Sequence, residues 1–507
     1  MEIAVSDFVK HTNEKMPQKI YIFDTTLRDG EQTPGVALKT DEKLDIAAAL
    51  SDIGVDVIEA GFARVSGGET DAIKTIANAG LKSEICSIAR ANEQDIDIAA
   101  STGVTCIHTF IGTSPLHRDY KLKMSKDEIL KKIEKSVGYI KSLGLKCEFS
   151  CEDATRTELE FLINAFKTAE EAGADRLNVP DTVGVISPEA MYWLIKQLKQ
   201  HLKKPISMHC HNDFGMAVAN SLAGIRAGAE QVHVTVNGIG ERAGNASMEQ
   251  IAVSLYALYG IKTINLERIA SLSELVEKYT GVAVSDTAPI VGRNAFAHEA
   301  GIHVHGVIGK ALTYEPISPE MVGRSREICL GKHSGMHSVK KVLEDMNISV
   351  SEEQLNTILA KIKEIGDKGE KIGEKELNEI VQEITGNHRN RFINLREFVV
   401  TTGTGITSTA SVTVEKNGKI IKSAAIGVGP VDAVTNALKK AVKETESIKL
   451  TRYKLGSVGS GSEAFGEVFI KLEDEKGNVY FSRGVSRNIV EASVDALIEG
   501  YNKALKK

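Results

Sequence analysis

Two histidines separated by a single residue, His209 and His211, are the side chains of this sequence whose type and spacing most directly indicate chemistry. They end a short apolar run that begins at Ile206 and is typical of a β-strand. Because side chains at positions i and i+2 of a strand point to the same face, both imidazoles can offer a nitrogen to one metal ion. The alternative is one buried and one hydrogen-bonded histidine without a metal. The pair favours a metal enzyme.

An adjacent arginine and aspartate, Arg28 and Asp29, could complete such a site. Asp29 would add an oxygen ligand to the two nitrogens and leave positions open for water or substrate. This donor set is compatible with Zn²⁺ or Mn²⁺ and, less naturally, with Mg²⁺. Arg28 could stabilise an oxyanion as charge develops, which indicates carbonyl activation. The alternative for this pair is a structural salt bridge at the mouth of a barrel.

A repeated order of elements from residue 20 to about 260 indicates how these residues are positioned. A β-rich apolar run is followed by a polar loop and a helical pattern that ends near a glycine. The runs are 21–25, 55–61, 84–89, 106–111, 146–152, 176–180, 206–211 and 231–236. Eight such α/β units predict a TIM (β/α)8 barrel, with a doubly wound open sheet as the alternative.

Polar residues cluster at the carboxyl ends of these eight runs, which is the face that carries the active site in TIM barrels. They are Arg28, Asp29, Glu59, Arg90, His108, Ser150, Glu152, Asn178, Pro180, Thr182, His209, His211 and the segment 237–245. Solvated loops alone would not produce such a coincidence. The sequence therefore predicts one site that is built from many strands.

Three regions are expected along the chain: the barrel over 1–280, a mostly helical linker over 281–390, and an α+β domain over 391–507. The last region contains an internal repeat, because 410–438 and 466–497 both follow the order strand, turn, strand and helix. Small modules of this kind often bind an effector or a partner subunit.

Composition excludes several other classes of protein. The 507 residues carry a formal net charge of −6 and no long basic block, so a nucleic-acid partner is not expected. No run of about 18 apolar residues occurs, and residues 1–20 lack a secretory pattern, so we expect a cytoplasmic protein without a membrane partner. The six cysteines are too dispersed for a disulfide framework.

Three separate segments resemble the signatures of one enzyme family. Phe23-Asp-Thr-Thr-Leu-Arg-Asp-Gly-Glu-Gln32, His209-Cys-His-Asn-Asp213 and Asn237-Gly-Ile-Gly-Glu-Arg-Ala-Gly-Asn245 resemble those of the 2-isopropylmalate, homocitrate and citramalate synthases. The resemblance covers nearly the whole chain. The repeated tail is similar to the leucine-binding regulatory domain of the isopropylmalate synthases.

The resemblance implies a Claisen-type condensation of acetyl-CoA with a 2-oxo acid in a homodimer. Asp29, His209 and His211 would bind a divalent metal, with Asn245 as a fourth ligand or a supporting residue. Arg28 would lie over the keto oxygen, and Glu152 would move protons together with His298 and Tyr314 of the linker, which often come from the neighbouring subunit. The residues expected to contact substrate are Arg28, His108, Ser150, Asn178, Pro180 and Thr182.

The identity of the 2-oxo acid is indicated by two of the strand segments. Residues 107–115 and 177–182 resemble the isopropylmalate synthases, which favours 3-methyl-2-oxobutanoate over the pyruvate of citramalate synthases. Val185 departs from the tyrosine that many isopropylmalate synthases carry there. Leucine is the expected effector, near 427–429 and 456–462. A non-catalytic amino-acid-sensing protein is the alternative from another class.

Overall fold

The computed structural model describes residues 3–12, 16–346, 348–369, 372–385, 392–416, 418–458 and 465–505. Contacts between residues divide the chain into two compact units, Met1–Ile380 and Val381–Lys507. Within the described ranges, no helix is both long enough and apolar enough to cross a membrane.

The first unit contains a closed barrel of eight parallel strands that pair in sequence order. The strands are β1 (Tyr21–Asp24), β2 (Val57–Glu59), β3 (Glu84–Arg90), β4 (Cys106–Gly112), β5 (Lys146–Glu152), β6 (Arg176–Asp181), β7 (Ile206–Cys210) and β8 (Gln231–Val234). Closure is made by β8 on β1, with Tyr21 opposite Gln231. The predicted TIM barrel is confirmed, and the open sheet is excluded.

Helices connect successive strands and cover the outside of the barrel. They are α1 (Thr40–Ile53), α2 (Gly67–Ala77), α3 (Glu93–Ser101), α4 (Lys126–Ser142), α5 (Leu159–Glu171), α6 (Pro188–His201), α7 (Ala217–Ala227) and α8 (Met248–Tyr259), followed by α9 (Ile269–Thr280). Gly54 and Gly228 end α1 and α7 with φ of +97° and +116°. Glycine adopts this left-handed conformation without steric cost, so the pattern of terminal glycines correctly marked helix ends.

The inside of the barrel is partly polar below the mouth. Glu148 is fully buried and accepts hydrogen bonds from Gln231 and from Arg176, whose guanidinium also contacts Glu84. Its carboxylate lies 2.6 Å from His233 Nε2. Because buried charges are costly unless paired, this network is consistent with a barrel whose interior is closely packed rather than open.

The segment after the barrel is mostly helical, as predicted. A short parallel pair, β9 (Ala297–His298) and β10 (Glu327–Ile328), accompanies the helices. The helices are α10 (Gly301–Gly309), α11 (Met336–Asp345), α12 (Glu352–Asp367) and α13 (Glu374–Thr385).

The second unit consists of two copies of one motif around a shared apolar core. The first copy is β11 (Asn394–Thr401), β12 (Ser408–Lys416), β13 (Lys419–Gly427) and α14 (Pro430–Ala441). The second is β14 (Lys449–Val458), β15 (Phe465–Glu473), β16 (Val479–Ser486) and α15 (Ile489–Leu505). In each copy the three strands form one antiparallel sheet. The predicted internal repeat is confirmed.

Each copy begins with a strand that the sequence pattern did not reveal. The register of β11 shifts between Leu395 and Glu397, and that of β14 shifts between Leu450 and Arg452. A bulge interrupts the alternation of apolar and polar residues by which strands are recognised. Because both copies bulge near the same point, both first strands escaped detection.

Candidate active site

Three potential ligand atoms meet at the carboxyl ends of β1 and β7. Asp29 Oδ2 lies 3.5 Å from His209 Nε2 and 3.8 Å from His211 Nε2, and the two Nε2 atoms are 3.2 Å apart. All three side chains are buried, and the ligand atoms lie within 4.8 Å of one another. A cation placed among them could bind two nitrogens and one oxygen.

The protonation states of this cluster suit a metal ion. Burial lowers the pKa of both histidines, and for His209 the neighbouring imidazole of His211 lowers it further. Burial alone would raise the pKa of Asp29, but the neighbouring Arg28 guanidinium and the hydrogen bond from Asn245 hold it below its ordinary value. The cluster therefore presents two neutral imidazoles and a carboxylate, which are the forms that bind metals.

Asn245, in the loop after β8, adds a fourth polar group. Its Nδ2 donates a hydrogen bond of 2.9 Å to Asp29 Oδ1, while its buried Oδ1 has no partner among the described residues. Gly240 permits this approach, because a Cβ there would lie 2.1 Å from Asn245 Nδ2. A buried acceptor without a partner is costly in a dry site. The donor set of Asp29, His209, His211 and Asn245 thus fits a divalent cation.

Arg28 is fixed beside this cluster by two carboxylates. Its Nη1 donates to Asp29 Oδ2 and its Nε donates to Glu59 Oε2, both at 2.6 Å. Glu59 ends β2 and is fully buried. Its burial would raise the pKa of its carboxyl, but Arg28 and His108 hold that pKa well below its ordinary value. Since a guanidinium has five N–H donors, Arg28 retains donors for a substrate oxygen.

A chain of hydrogen bonds continues from Glu59 across the barrel. Glu59 Oε1 lies 2.6 Å from His108 Nδ1, and His108 Nε2 lies 2.6 Å from Ser150 Oγ. Ser150 Oγ also accepts a hydrogen bond of 2.7 Å from Asn178 Nδ2. The Oδ1 atom of Asn178 is buried and has no partner in the part of the chain that the structure describes. The chain joins β2, β4, β5 and β6 and ends at a free acceptor.

Pro180 and Thr182 lie at the end of β6 and just after it. Pro180 is opposite His209 in the register of β6 with β7. Thr182 Oγ1 accepts a hydrogen bond of 3.0 Å from the Asp153 backbone N–H, and its carbonyl accepts one of 2.8 Å from Arg242. Arg242 is paired in addition with Asp213. The hydroxyl of Thr182 therefore holds the loop after β5 in this structure.

Glu152 ends β5 in an environment of its own. Both of its carboxylate oxygens accept hydrogen bonds from Lys121 Nζ, at 2.6 and 2.8 Å, and His117 Nδ1 lies 3.3 Å from Oε2. Burial would raise the pKa of Glu152, but His117 and Lys121 hold it below its ordinary value. The contacts of Glu152 among the described residues do not include Arg28 or the three ligand side chains.

The two linker residues also have partners of their own within the chain. His298 Nε2 lies 3.1 Å from Glu315 Oε1, and Glu315 is paired with Arg326 at 2.5 and 2.6 Å. The ring of Tyr314 packs on His303 with 4.2 Å between centroids, and 43% of the tyrosine is exposed.

Sequence reasoning missed Lys43 of α1, a supporting residue of the site. Its side chain is 1% exposed, and its Nζ lies 2.6 Å from both Glu31 and Glu69. Glu31 follows Asp29 in the loop after β1, whereas Glu69 lies in the first turn of α2 and accepts the Phe62 N–H. The signal was its spacing from Ile46 and Leu50, which places Lys43 on the apolar face of the helix.

The fold and this cluster define a TIM-barrel enzyme with a candidate metal site at the carboxyl face of its strands. Residues 19–276 match the family described as HMGL-like, 290–370 match a homocitrate synthase post-HMGL domain-like family, and 371–505 match the LeuA allosteric (dimerisation) domain.

Relatives that match nearly the whole chain identify its family within this class of enzymes. The chain is 51% identical over 502 residues to the 2-isopropylmalate synthase of Methanocaldococcus jannaschii, covering 98% of this chain and 96% of the relative. It is 51% identical over 496 residues to a probable 2-isopropylmalate synthase of Methanopyrus kandleri, covering 97% of this chain and 99% of the relative. The (R)-citramalate synthase of M. jannaschii is 49% identical over 490 residues, covering 96% and 99%. The chain therefore belongs to the family of condensing acyltransferases that includes the 2-isopropylmalate and (R)-citramalate synthases. The segments 23–32, 209–213 and 237–245 had indicated this family.

Proposed function

We propose that this protein is a 2-isopropylmalate synthase, which condenses acetyl-CoA with 3-methyl-2-oxobutanoate in the first step of leucine synthesis. The observation that carries the proposal is the Asp29, His209 and His211 cluster with Arg28 beside it, in a chain of this family. The choice of 2-oxo acid is supported by the segments 107–115 and 177–182. (R)-citramalate synthase is the second candidate, because relatives with that name are nearly as similar.

The proposed chemistry of the keto group rests on Arg28. A divalent cation held by Asp29, His209, His211 and Asn245 would supply Lewis-acid polarisation; Mn²⁺, Zn²⁺ and Mg²⁺ are the candidates. Arg28, kept in place by Glu59, would donate hydrogen bonds to the keto oxygen as it becomes negative. The remaining proposed contacts with the 2-oxo acid come from His108, Ser150, Asn178, Pro180 and Thr182.

The proposed proton chemistry rests on Glu152. Its carboxylate would take a proton from the acetyl methyl, the resulting carbanion would attack the keto carbon, and the new alkoxide would be protonated. Water then cleaves the thioester, which releases CoA and the 2-alkylmalate. We propose that His298 and Tyr314 assist these transfers from the neighbouring subunit of a homodimer. The match to a LeuA allosteric (dimerisation) domain supports the dimer.

Comparison of 2-oxo acids tests the proposed substrate. Methyl groups in an apolar pocket are worth about 10–200-fold in kcat/KM. We therefore expect CoA release with 3-methyl-2-oxobutanoate to exceed that with pyruvate by at least about tenfold. Preference for pyruvate would instead identify a citramalate synthase. Absence of CoA release with every 2-oxo acid, in protein loaded with metal, would indicate a non-catalytic amino-acid-sensing protein.

We further propose that the repeated tail binds leucine as an effector. Gly427 and Gly429 flank Val428, which is fully exposed and donates its N–H to Asp432. Such glycine-flanked N–H groups can approach a carboxylate closely. The second predicted segment, 456–462, lies outside the described residues from position 459 onward. The name of the matched tail domain supports regulation, and tight turns at a dimer interface are the alternative.

Calorimetry on the full-length protein is expected to show saturable binding of L-leucine. Because coupling between binding sites is reciprocal, leucine bound to the tail should also change the affinity for a substrate if it acts through binding. L-alanine, which has the same backbone groups and a smaller side chain, is the matched control ligand. Equal heats of binding for the two amino acids, or no heat for leucine, would contradict the effector proposal. The tail would then be a dimerisation module only.

A further inference from the structure

Glu152 lies within a small charged cluster on the loop after β4. Lys121 and His117 both belong to a single π turn, His117–Leu122, and reach the same carboxylate. The lysine side chain is 50% exposed, whereas the glutamate and histidine side chains are 19% and 17% exposed. A carboxylate that is mostly buried is thus in contact with an ammonium group whose side chain is half exposed.

The turn is anchored so that its position does not depend on Lys121. Arg118 donates to the Thr113 carbonyl at 2.8 Å and is bound by both carboxylate oxygens of Glu158 at 2.8 Å. Gly112 at the end of β4 makes room for His117, because a Cβ there would come within 2.7 Å of the imidazole side chain. Turns of the π type are frequent at functional sites.

This arrangement is poorly suited to proton abstraction as it stands. A general base works best when its pKa is near the working pH, and a tightly paired carboxylate is stabilised in its ionised form. Lys121 and His117 hold the pKa of Glu152 below its ordinary value, although burial opposes them. A base that must remove a proton from carbon therefore has to lose one of these partners.

We propose that Lys121 is a displaceable clamp on Glu152, which it holds ionised in the free enzyme and releases when substrates bind, while His117 stays beside the carboxylate. This inference rests on the proposed function of Glu152 as the base. The 2-oxo acid brings a carboxylate to the carbon at which Glu152 would act, and so offers the Lys121 ammonium another partner. Lys121 is a positioning residue in this scheme.

The other charged groups near Glu152 are already paired. Asp153 follows it on the strand and is bound by Arg156 at 2.8 Å, with its second oxygen 3.8 Å from His117 Nε2. Arg118 forms a salt bridge with Glu158. Among the described contacts of Glu152, Lys121 is the exposed cation, so it is the partner whose removal leaves the rest of the cluster in place.

Lys121→Met is expected to shift the pH profile of kcat/KM and to leave that of kcat unchanged. The profile of kcat/KM reports groups of the free enzyme, and that of kcat reports groups of the substrate complex. Without the ammonium the ionised carboxylate is less favoured, so the acid limb of kcat/KM for acetyl-CoA, measured with the 2-oxo acid well below its KM, should move to higher pH by about one unit. The acid limb of kcat should not move, because Lys121 has already left Glu152 in the complex.

Lys123→Met removes an equal charge from the same loop and is the matched control. It should move neither limb. An equal shift in both variants would show a long-range effect of charge and overturn the contact. A shift in both the kcat and the kcat/KM limbs of Lys121→Met would show that the lysine stays on Glu152, and would overturn displacement.

Carbon-13 NMR of glutamate side-chain carboxyls tests the clamp without activity. The Glu152 signal is assigned by its loss in Glu152→Gln, and its midpoint should rise by about one unit or more in Lys121→Met. An unchanged midpoint would overturn the clamp even in an active enzyme. If no 2-oxo acid supports CoA release, the synthase proposal falls, while this titration still decides whether Lys121 controls the carboxylate.

Discussion

Alanine at His209 or at His211 is expected to remove bound metal and reduce CoA release by at least about a hundredfold. Even residues that only support a metal ligand are worth about 10–100-fold. The two Nε2 atoms lie 3.2 Å apart beside the Asp29 carboxylate, so one ion would lose a ligand in either variant. Metal analysis of the dialysed proteins and turnover at saturating substrate measure both effects.

His201→Ala is the control for these variants, because His201 lies exposed in the last turn of α6. It should keep both metal and turnover. The barrel should stay folded in all three proteins, since alanine fits both the end of a strand and the last turn of a helix without backbone strain. Full metal occupancy in both His209→Ala and His211→Ala would rule out this cluster as the metal site, whatever happened to turnover.

Lysine in place of Arg28 is expected to lower kcat by about 10²–10³-fold, which is the cost of losing one donor to a developing oxyanion. Lysine keeps a positive charge between Glu59 and Asp29, so neither buried carboxylate is left without a cation. It lacks the planar fork that lets Arg28 contact both carboxylates and still donate to a substrate. Steady-state kinetics with metal content measured in parallel checks this prediction.

Arg90→Lys is the control for Arg28→Lys. Arg90 also ends a barrel strand and is also paired with a carboxylate, Asp95, at 2.6 and 3.1 Å, but its side chain is 56% exposed. Its replacement should leave kcat within about twofold, because the exposed guanidinium of Arg90 contacts Asp95 and none of the three ligand side chains, and lysine keeps its charge. A loss of 2-oxo acid affinity with unchanged kcat in Arg28→Lys would make Arg28 a binding residue and not a stabiliser of the transition state.

The barrel could be predicted because its signals are local. Each strand is a short apolar run, and helices end at glycines such as Gly54 and Gly228, so periodicity and terminal glycines were enough. The clustering of Asp29 with the histidines followed from topology, since the carboxyl ends of all eight strands share one face. These inferences needed the alternation of side chains along a strand, but no knowledge of individual rotamers.

The connections between side chains could not be predicted, because they depend on rotamers and on loop geometry. Glu59 was recognised as a polar strand end, but its bonds to both Arg28 and His108 require three strands in register. Lys121 and His117 gave no signal at all, since a lysine and a histidine in a polar loop are ordinary surface residues. The first strand of each copy in the tail was not predicted for a related reason. A bulge interrupts its alternation of apolar and polar residues.

The hydrogen bond between Asp29 and Asn245 crosses the seam where the last strand of the barrel meets the first, and it joins residues 216 positions apart. Closing a loop of this length costs chain entropy, which is recovered only when the contacts of the closed barrel form. A nascent chain in which β8 has not docked on β1 therefore lacks a complete ligand set. Any cation that binds the finished cluster stabilises only the closed barrel. Metal capture would thus report the completion of assembly, and an immature barrel would be unable to begin the chemistry.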